Sequence, residues 1–146
     1  MTNSRFLFTA VCFIIFSQWG HSQQAELYSP NKKIRAALYN DGQNTKSGRW
    51  YLTLSYSDSN RTNVVIPRLD LGLVTNRHDF SKGLSYLKTG KTIPIEEHYT
   101  AVHGKSSVCS NKGNEQTLYF KNENNIRFNI IVRAYNDGFV FRYELP

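Results

Sequence analysis

Between Ile126 and Leu145, apolar side chains recur at every second position, and this alternation constrains the fold more than any other feature of the chain. Ile126, Phe128, Ile130, Val132 and Ala134 alternate with Arg127, Asn129 and Arg133. After Asn136-Asp137-Gly138, the residues Phe139, Phe141, Tyr143 and Leu145 alternate with Arg142 and Glu144. Successive side chains of a strand point to opposite faces, so the pattern predicts two half-buried strands joined by a hairpin turn. Weaker copies run back along the chain, at Ile34, Ala36 and Leu38, at Trp50, Leu52, Leu54 and Tyr56, at Leu69, Leu71 and Leu73, and at Leu118 and Phe120. Asn40-Asp41-Gly42 supplies a second turn, and both turns offer residues that tolerate a left-handed backbone. No stretch keeps a 3.6-residue period over helical length, so the crossover helices of a parallel sheet are not expected. The expected fold class is all-β, an antiparallel β-sandwich. Tyr and Phe, nine of each, supply much of the apolar pattern; packing between sheets explains aromatic-rich strands more often than a sugar-binding surface does.

The N-terminus predicts export. Arg5 is followed by an apolar run from Phe6 to Phe16, and Gly20-His21-Ser22 places small residues where a signal peptidase reads. Cleavage after Ser22 makes residues 1–22 a signal peptide and 23–146 the mature chain, periplasmic or secreted. The run is shorter than the roughly 20 apolar residues a membrane span needs, and Thr9 and Val11 ahead of Cys12 do not suit a lipid anchor. Removing 22 residues from 146 leaves 124, the size of one domain. Cys109 is then alone, so no intrachain disulfide is expected, and its simplest role is that of a small, partly buried apolar residue. The formal charge is +7, but Lys32, Arg49, Arg68, Lys91, Lys121 and Arg142 are spread over separate segments. That scatter describes a solvated basic surface rather than a nucleic-acid interface.

No complete catalytic constellation is present. Gly90-Lys91-Thr92 and Gly104-Lys105-Ser106 match the end of a phosphate-binding loop, yet Ser85 and Tyr99 stand where its first glycine belongs. His98 and His103 are five apart, with Glu96 and Glu97 before them; on one strand they face opposite sides, so a shared metal would require a turn between them. Glycoside hydrolysis needs two facing carboxylates, and neither Glu96 with Glu97 nor Glu97 with Glu115 is singled out by spacing. No Gly-x-Ser-x-Gly elbow occurs.

Several stretches together resemble the N-terminal domain of glycoside hydrolase family 97. Ser29-Pro30-Asn31 ahead of a first strand, and Leu69-Asp70-Leu71-Gly72-Leu73, are similar to that domain's opening. Glu96 to Lys105 resembles a family segment in which tryptophans stand at the positions of Tyr99 and His103, proline at Ala101 and glutamate at Lys105. Asn111 and Asn114-Glu115 fall on a further motif. Arg133-Ala134-Tyr135-Asn136-Asp137-Gly138 with Phe141-Arg142-Tyr143-Glu144-Leu145-Pro146 is the most specific match. The resemblance implies a β-supersandwich of the galactose-mutarotase type, here incomplete, preceding a (β/α)8 barrel that carries the catalytic carboxylates of α-glucosidases or α-galactosidases. It also implies a calcium ion in the complete enzyme, and one sandwich glutamate lying beyond Pro146.

The resulting expectation is a non-catalytic, carbohydrate-binding-type sandwich, a truncated piece serving α-glycoside hydrolysis by a barrel absent from this chain. No catalytic residue, no metal ligand and no cofactor is assigned to it. Glu97, Tyr99 and His103 are the candidate substrate-binding residues, for an α-glucoside or α-galactoside. The expected partners are that carbohydrate and the catalytic barrel domain, with no nucleic acid and no membrane span. Two alternatives remain: a free-standing periplasmic binding or adaptor module, and a small enzyme using Glu96, Glu97 and His103.

Overall fold

The structure is a computed structural model and describes residues 23–42, 48–100 and 108–145. The signal segment and His103 lie outside the described residues, as does Gly104-Lys105-Ser106. Among the described residues nine strands follow in order: β1 (Gln23–Tyr28), β2 (Ile34–Asn40), β3 (Trp50–Asp58), β4 (Arg61–Asp70), β5 (Ser85–Thr89), β6 (Ile93–Thr100), β7 (Val108–Lys121), β8 (Arg127–Tyr135) and β9 (Phe139–Glu144). One sheet has the order β1-β2-β3-β4; the other has β5-β7-β8-β9, with β6 also on β7. Every strand pair is antiparallel, and no helix occurs among the described residues. The sandwich expected from the alternation is therefore what forms.

The first sheet lies over the second, with β1 and β2 against β7 and β8, and the core is the layer between them. Leu27, Leu38, Trp50 and Leu52 enter it from one side, and Leu118, Phe120, Phe128, Ile130, Val132 and Ala134 from the other. The predicted period-two face of β8 is this face, paired in register as Phe120 with Phe128 and Leu118 with Ile130. Trp50 meets Phe120 edge-on with ring centroids 5.3 Å apart, and its indole N–H donates to the Leu84 carbonyl at 2.8 Å. The segment between β4 and β5 closes one end, burying Leu71, Phe80 and Leu84. Phe80 stacks on Phe128 at 4.7 Å. Full burial of each such side chain contributes about 1.5–3 kcal/mol.

β7 organises the second sheet. Its 14 residues exceed what one neighbour can cover, so β5 pairs with its second half and β6 with its first. Gly90-Lys91-Thr92 is the join between those two neighbours, tied to β7 by Gly90 N–H donating to the Thr117 carbonyl at 2.7 Å.

Two expectations are corrected. Ser29-Pro30-Asn31 precedes the second strand, not the first, because Gln23–Tyr28 already pairs with β2. Leu69, Leu71 and Leu73 do not share a strand: β4 stops at Asp70, and Gly72 turns the chain inward at φ 154°. A β-carbon on Gly72 would lie 2.8 Å from the Ser81 Cα, which closes that site to larger residues. The turn at Asn136-Asp137-Gly138 forms as the expected hairpin, with Tyr135 N–H donating to the Gly138 carbonyl at 2.8 Å; among the described residues positive φ falls at Lys32, Asn125, Gly48, Gly72 and Gly83.

Candidate functional site

Alternation that buries one face of β8 turns Arg133 and Tyr135 to the other. On this outer face, register places Glu115 of β7 directly opposite Arg133, and Gly113 opposite Tyr135. β6 lies on the far side of β7 with Glu97 opposite Asn111 and Tyr99 opposite Cys109. Three strands thus deliver their polar side chains to one patch. Arg133 Nε donates to Glu115 Oε2 at 2.6 Å and its Nη1 to Glu97 Oε1 at 2.8 Å. The same Nη1 lies 3.3 Å from the Tyr135 hydroxyl. These partners, Tyr135 and Glu115 foremost, hold the guanidinium above the usual arginine range, and a planar fork between two carboxylates fixes both in orientation.

The predicted site residues fare unequally. Glu97 is held by Arg133 and remains 46 % exposed. Tyr99 is exposed beside it on the same strand face, its phenol raised above its ordinary pKa chiefly by the hydrogen bond to Cys109. His103 lies outside the described residues. Glu96 and Glu97 point to opposite sides of β6, and Glu96 meets Lys112 and His98 at 3.5 Å each. A carboxylate pair built from Glu96 and Glu97 is therefore not formed. Glu97 and Glu115 do come together, but with an arginine between them rather than an open gap for a glycosidic bond.

Arg133, Tyr135 and Glu115 are the residues that spacing alone did not assign to a site. Glu115 and Arg133 are 18 residues apart, and only the β7–β8 register makes them neighbours. The usable signal was the arginine two residues before an aromatic on the polar face of β8. A patch of this kind offers carboxylate acceptors and guanidinium donors for sugar hydroxyls, beside an exposed phenol ring against which a pyranose can lie.

Among the described residues no group of three or more His, Cys, Asp or Glu converges. Calcium takes six to eight oxygen ligands, so these residues do not fit a calcium ion. No helix of the described residues is long and apolar enough to cross a membrane.

Two antiparallel sheets around a single aromatic core, with a polar outer patch, define a β-sandwich domain. Its family follows from its relatives. The glycosyl-hydrolase 97 N-terminal family matches residues 27–146, and the chain belongs to that family. Over 95 residues it is 34% identical to a "probable retaining alpha-galactosidase" of Streptomyces bingchenggensis, covering 65% of this chain and 14% of that protein. Its fold resembles a glycoside hydrolase family 97 enzyme of Pseudoalteromonas sp. strain K8 in complex with acarbose, with a TM-score of 0.63 and 22% identity over 84% of this chain and 17% of that one. A variant from the same strain in complex with panose gives a TM-score of 0.61 with the same identity and coverage. The chain thus spans less than a fifth of the length of these relatives.

Proposed function

We infer that this chain is the non-catalytic, carbohydrate-binding-type N-terminal sandwich of an exported family 97 glycoside hydrolase, serving α-glycoside hydrolysis by a barrel domain outside it. The observation that carries this reading is the patch of Glu97, Glu115 and Arg133 with the exposed Tyr99. It supplies paired donors and acceptors beside an aromatic ring, without the open carboxylate pair that hydrolysis requires. Family membership supports the α-glycoside class, and the N-terminal apolar run supports export to the periplasm or medium. Calcium belongs to this reading only as a ligand of the complete enzyme.

Titration of the purified chain with maltose and with galactose, followed by NMR of the Tyr99 ring and the Arg133 Nε–H, tests the binding half. Both signals should shift at millimolar sugar, the regime of about −4 kcal/mol, and Arg133→Gln should abolish the shift. Unchanged spectra with both sugars at saturation would remove the sugar-binding reading. The non-catalytic half is tested with aryl α-glucosides and α-galactosides, with and without calcium, which should release no aglycone above a boiled control. Turnover lost on Glu97→Gln would replace this reading with that of a small enzyme.

A further inference from the structure

Away from that patch, at one end of the sandwich, two rigid turns bring Arg77 and Arg127 to one cavity of about 460 Å³, the size of a small-molecule site. Asn76, Arg77 and His78 line it from the first turn, Ile126 and Arg127 from the second, and Leu145 from just after β9, with the buried Phe80 behind them. The first turn is fixed by Thr75. Its N–H donates to the His78 carbonyl at 2.9 Å, and its hydroxyl oxygen accepts from the N–H groups of His78 and Arg77 at 2.9 and 3.3 Å. The His78 ring rests edge-on against the buried Phe80 at 5.9 Å. The second turn is fixed by Asn122, whose side-chain oxygen accepts from Asn124 N–H at 3.0 Å and Ile126 N–H at 2.9 Å.

The charge of the cavity is one-sided. Among the described residues no carboxylate lines it, and neither Arg77 nor Arg127 takes part in an ion pair. Of the acids near it in sequence, Asp79 accepts from the Ser81 N–H and hydroxyl at 2.8 and 2.6 Å, Glu144 accepts from Asn129 Nδ2 at 3.1 Å, and the Glu123 carboxylate lies close to Gly83. Lys121, opposite Arg127 in register, lies outside the lining and donates to Asn125 Oδ1 at 2.9 Å. Two guanidinium groups held by preformed turns, without carboxylate partners, are an oxyanion receptor. The volume of the cavity, with the apolar side chains of Ile126 and Leu145 in its lining, exceeds what a bare inorganic ion fills.

We propose that this cavity binds a small organic oxyanion, the carboxylate of a sugar acid or the phosphate of a sugar phosphate, between Arg77 and Arg127. The test is NMR titration of the purified chain with glucuronate, glucose 6-phosphate, inorganic phosphate and glucose, read at the amides of Arg77, His78 and Ile126. Glucuronate, glucose 6-phosphate or both should shift these signals at millimolar concentration, and which of them does so identifies the anionic group. Arg77→Gln and Arg127→Gln should each weaken binding roughly tenfold, as loss of a charge-assisted hydrogen bond does. Lys82→Gln, which removes a positive charge outside the cavity, should leave binding unchanged. Raising salt from about 50 to about 500 mM should also weaken binding of the unaltered chain, which keeps the test independent of how the variants fold. Equal shifts with glucose, no shift with either sugar anion, or full binding in the two arginine variants would overturn the proposal. So would inorganic phosphate matching the sugar anions, since the sugar body would then make no contact.

Discussion

The backbone N–H of Asn31 donates to the side-chain oxygen of Asn136 at 2.9 Å, across 105 residues of sequence. Asn31 leads into β2 and Asn136 turns β8 into β9, so one side chain fastens the first sheet to the hairpin of the second. The clasp is built from the Ser29-Pro30-Asn31 and Asn136-Asp137-Gly138 segments, two of the stretches that carry the family resemblance. Ser29 Oγ donates to Asn31 Oδ1 at 2.7 Å and accepts from Ile34 N–H at 3.0 Å, while Asn114 Nδ2 donates to the Tyr28 carbonyl at 2.8 Å. The motif thus marks an inter-sheet clasp. Asn136→Ala is expected to cost about 1 kcal/mol, the net worth of an ordinary hydrogen bond, without altering the sugar-induced shifts at Arg133. Urea unfolding of the two chains, alongside the maltose titration, checks both halves of the expectation.

Tyr135 packs over Gly113, its partner across the β7–β8 ladder. A β-carbon at position 113 would lie 2.8 Å from Tyr135 Cδ1 and 3.2 Å from the Ala134 carbonyl oxygen. Gly113→Ala should therefore push the ring aside, cost about 1–3 kcal/mol as overpacking does, and loosen the Tyr135 contact with Arg133. Gly138→Ala is the control. Its backbone is not left-handed, and an added methyl would meet nothing within 4 Å, so its stability should stay within about 0.5 kcal/mol of the parent. A larger loss at Gly138 than at Gly113 would contradict this account.

How far the sequence displayed this architecture depended on whether a structural feature was local. β8 and β9 were legible because a half-buried strand writes its geometry as a period of two, and the turn between them is short. β4 was not, because its Arg61–Val65 half is exposed on an edge and carries no apolar alternation; Pro67 within it fits that edge position. Phe80 and Leu84 reach the core from an irregular segment, where no period exists to be read. At the candidate site, Glu97 and Tyr99 stood out through the family segment. Arg133, which binds Glu97, became its neighbour only through the pairing of three strands.

Asp41 ties the turn after β2 to both neighbouring segments. Its Oδ1 accepts from the Arg49 N–H and its Oδ2 from Arg68 Nη2, each at 2.6 Å. The Arg49 hydrogen bond, and then that of Arg68, hold the carboxyl below its ordinary value of 3.8. A depressed folded-state pKa contributes stability that is fully present above the unfolded value and is lost as pH falls through the folded one. The unfolding midpoint should therefore decline below about pH 4, and Asp41→Asn should flatten that decline while lowering stability at neutral pH. The pair is partly solvated, so the effect at pH 7 is expected to stay at or below about 1 kcal/mol. Thermal unfolding from pH 3 to pH 7 of both chains measures it.

β9 pairs with β8 on one side only among the described residues. Along its other edge every second residue presents an unpaired N–H and C=O, a template for another strand. Its side chains add to that tendency: Phe139, Phe141 and Tyr143 are only partly buried at the margin of the core, and Val140 and Leu145 are each 48 % exposed. Isolated on its own as residues 23–146, the chain is expected to self-associate with rising concentration. Val140→Glu places a charge on the exposed side of the edge strand, opposite Arg133 in register and two residues from Arg142. The new carboxylate gains cationic neighbours within its own sheet and opposes docking of a second edge. Light scattering coupled to size-exclusion chromatography should show the parent shifting toward dimer or larger species while the variant stays monomeric. A parent that remains monomeric over the same concentrations would mean that the β9 edge is already protected by the twist and side chains of its own sheet.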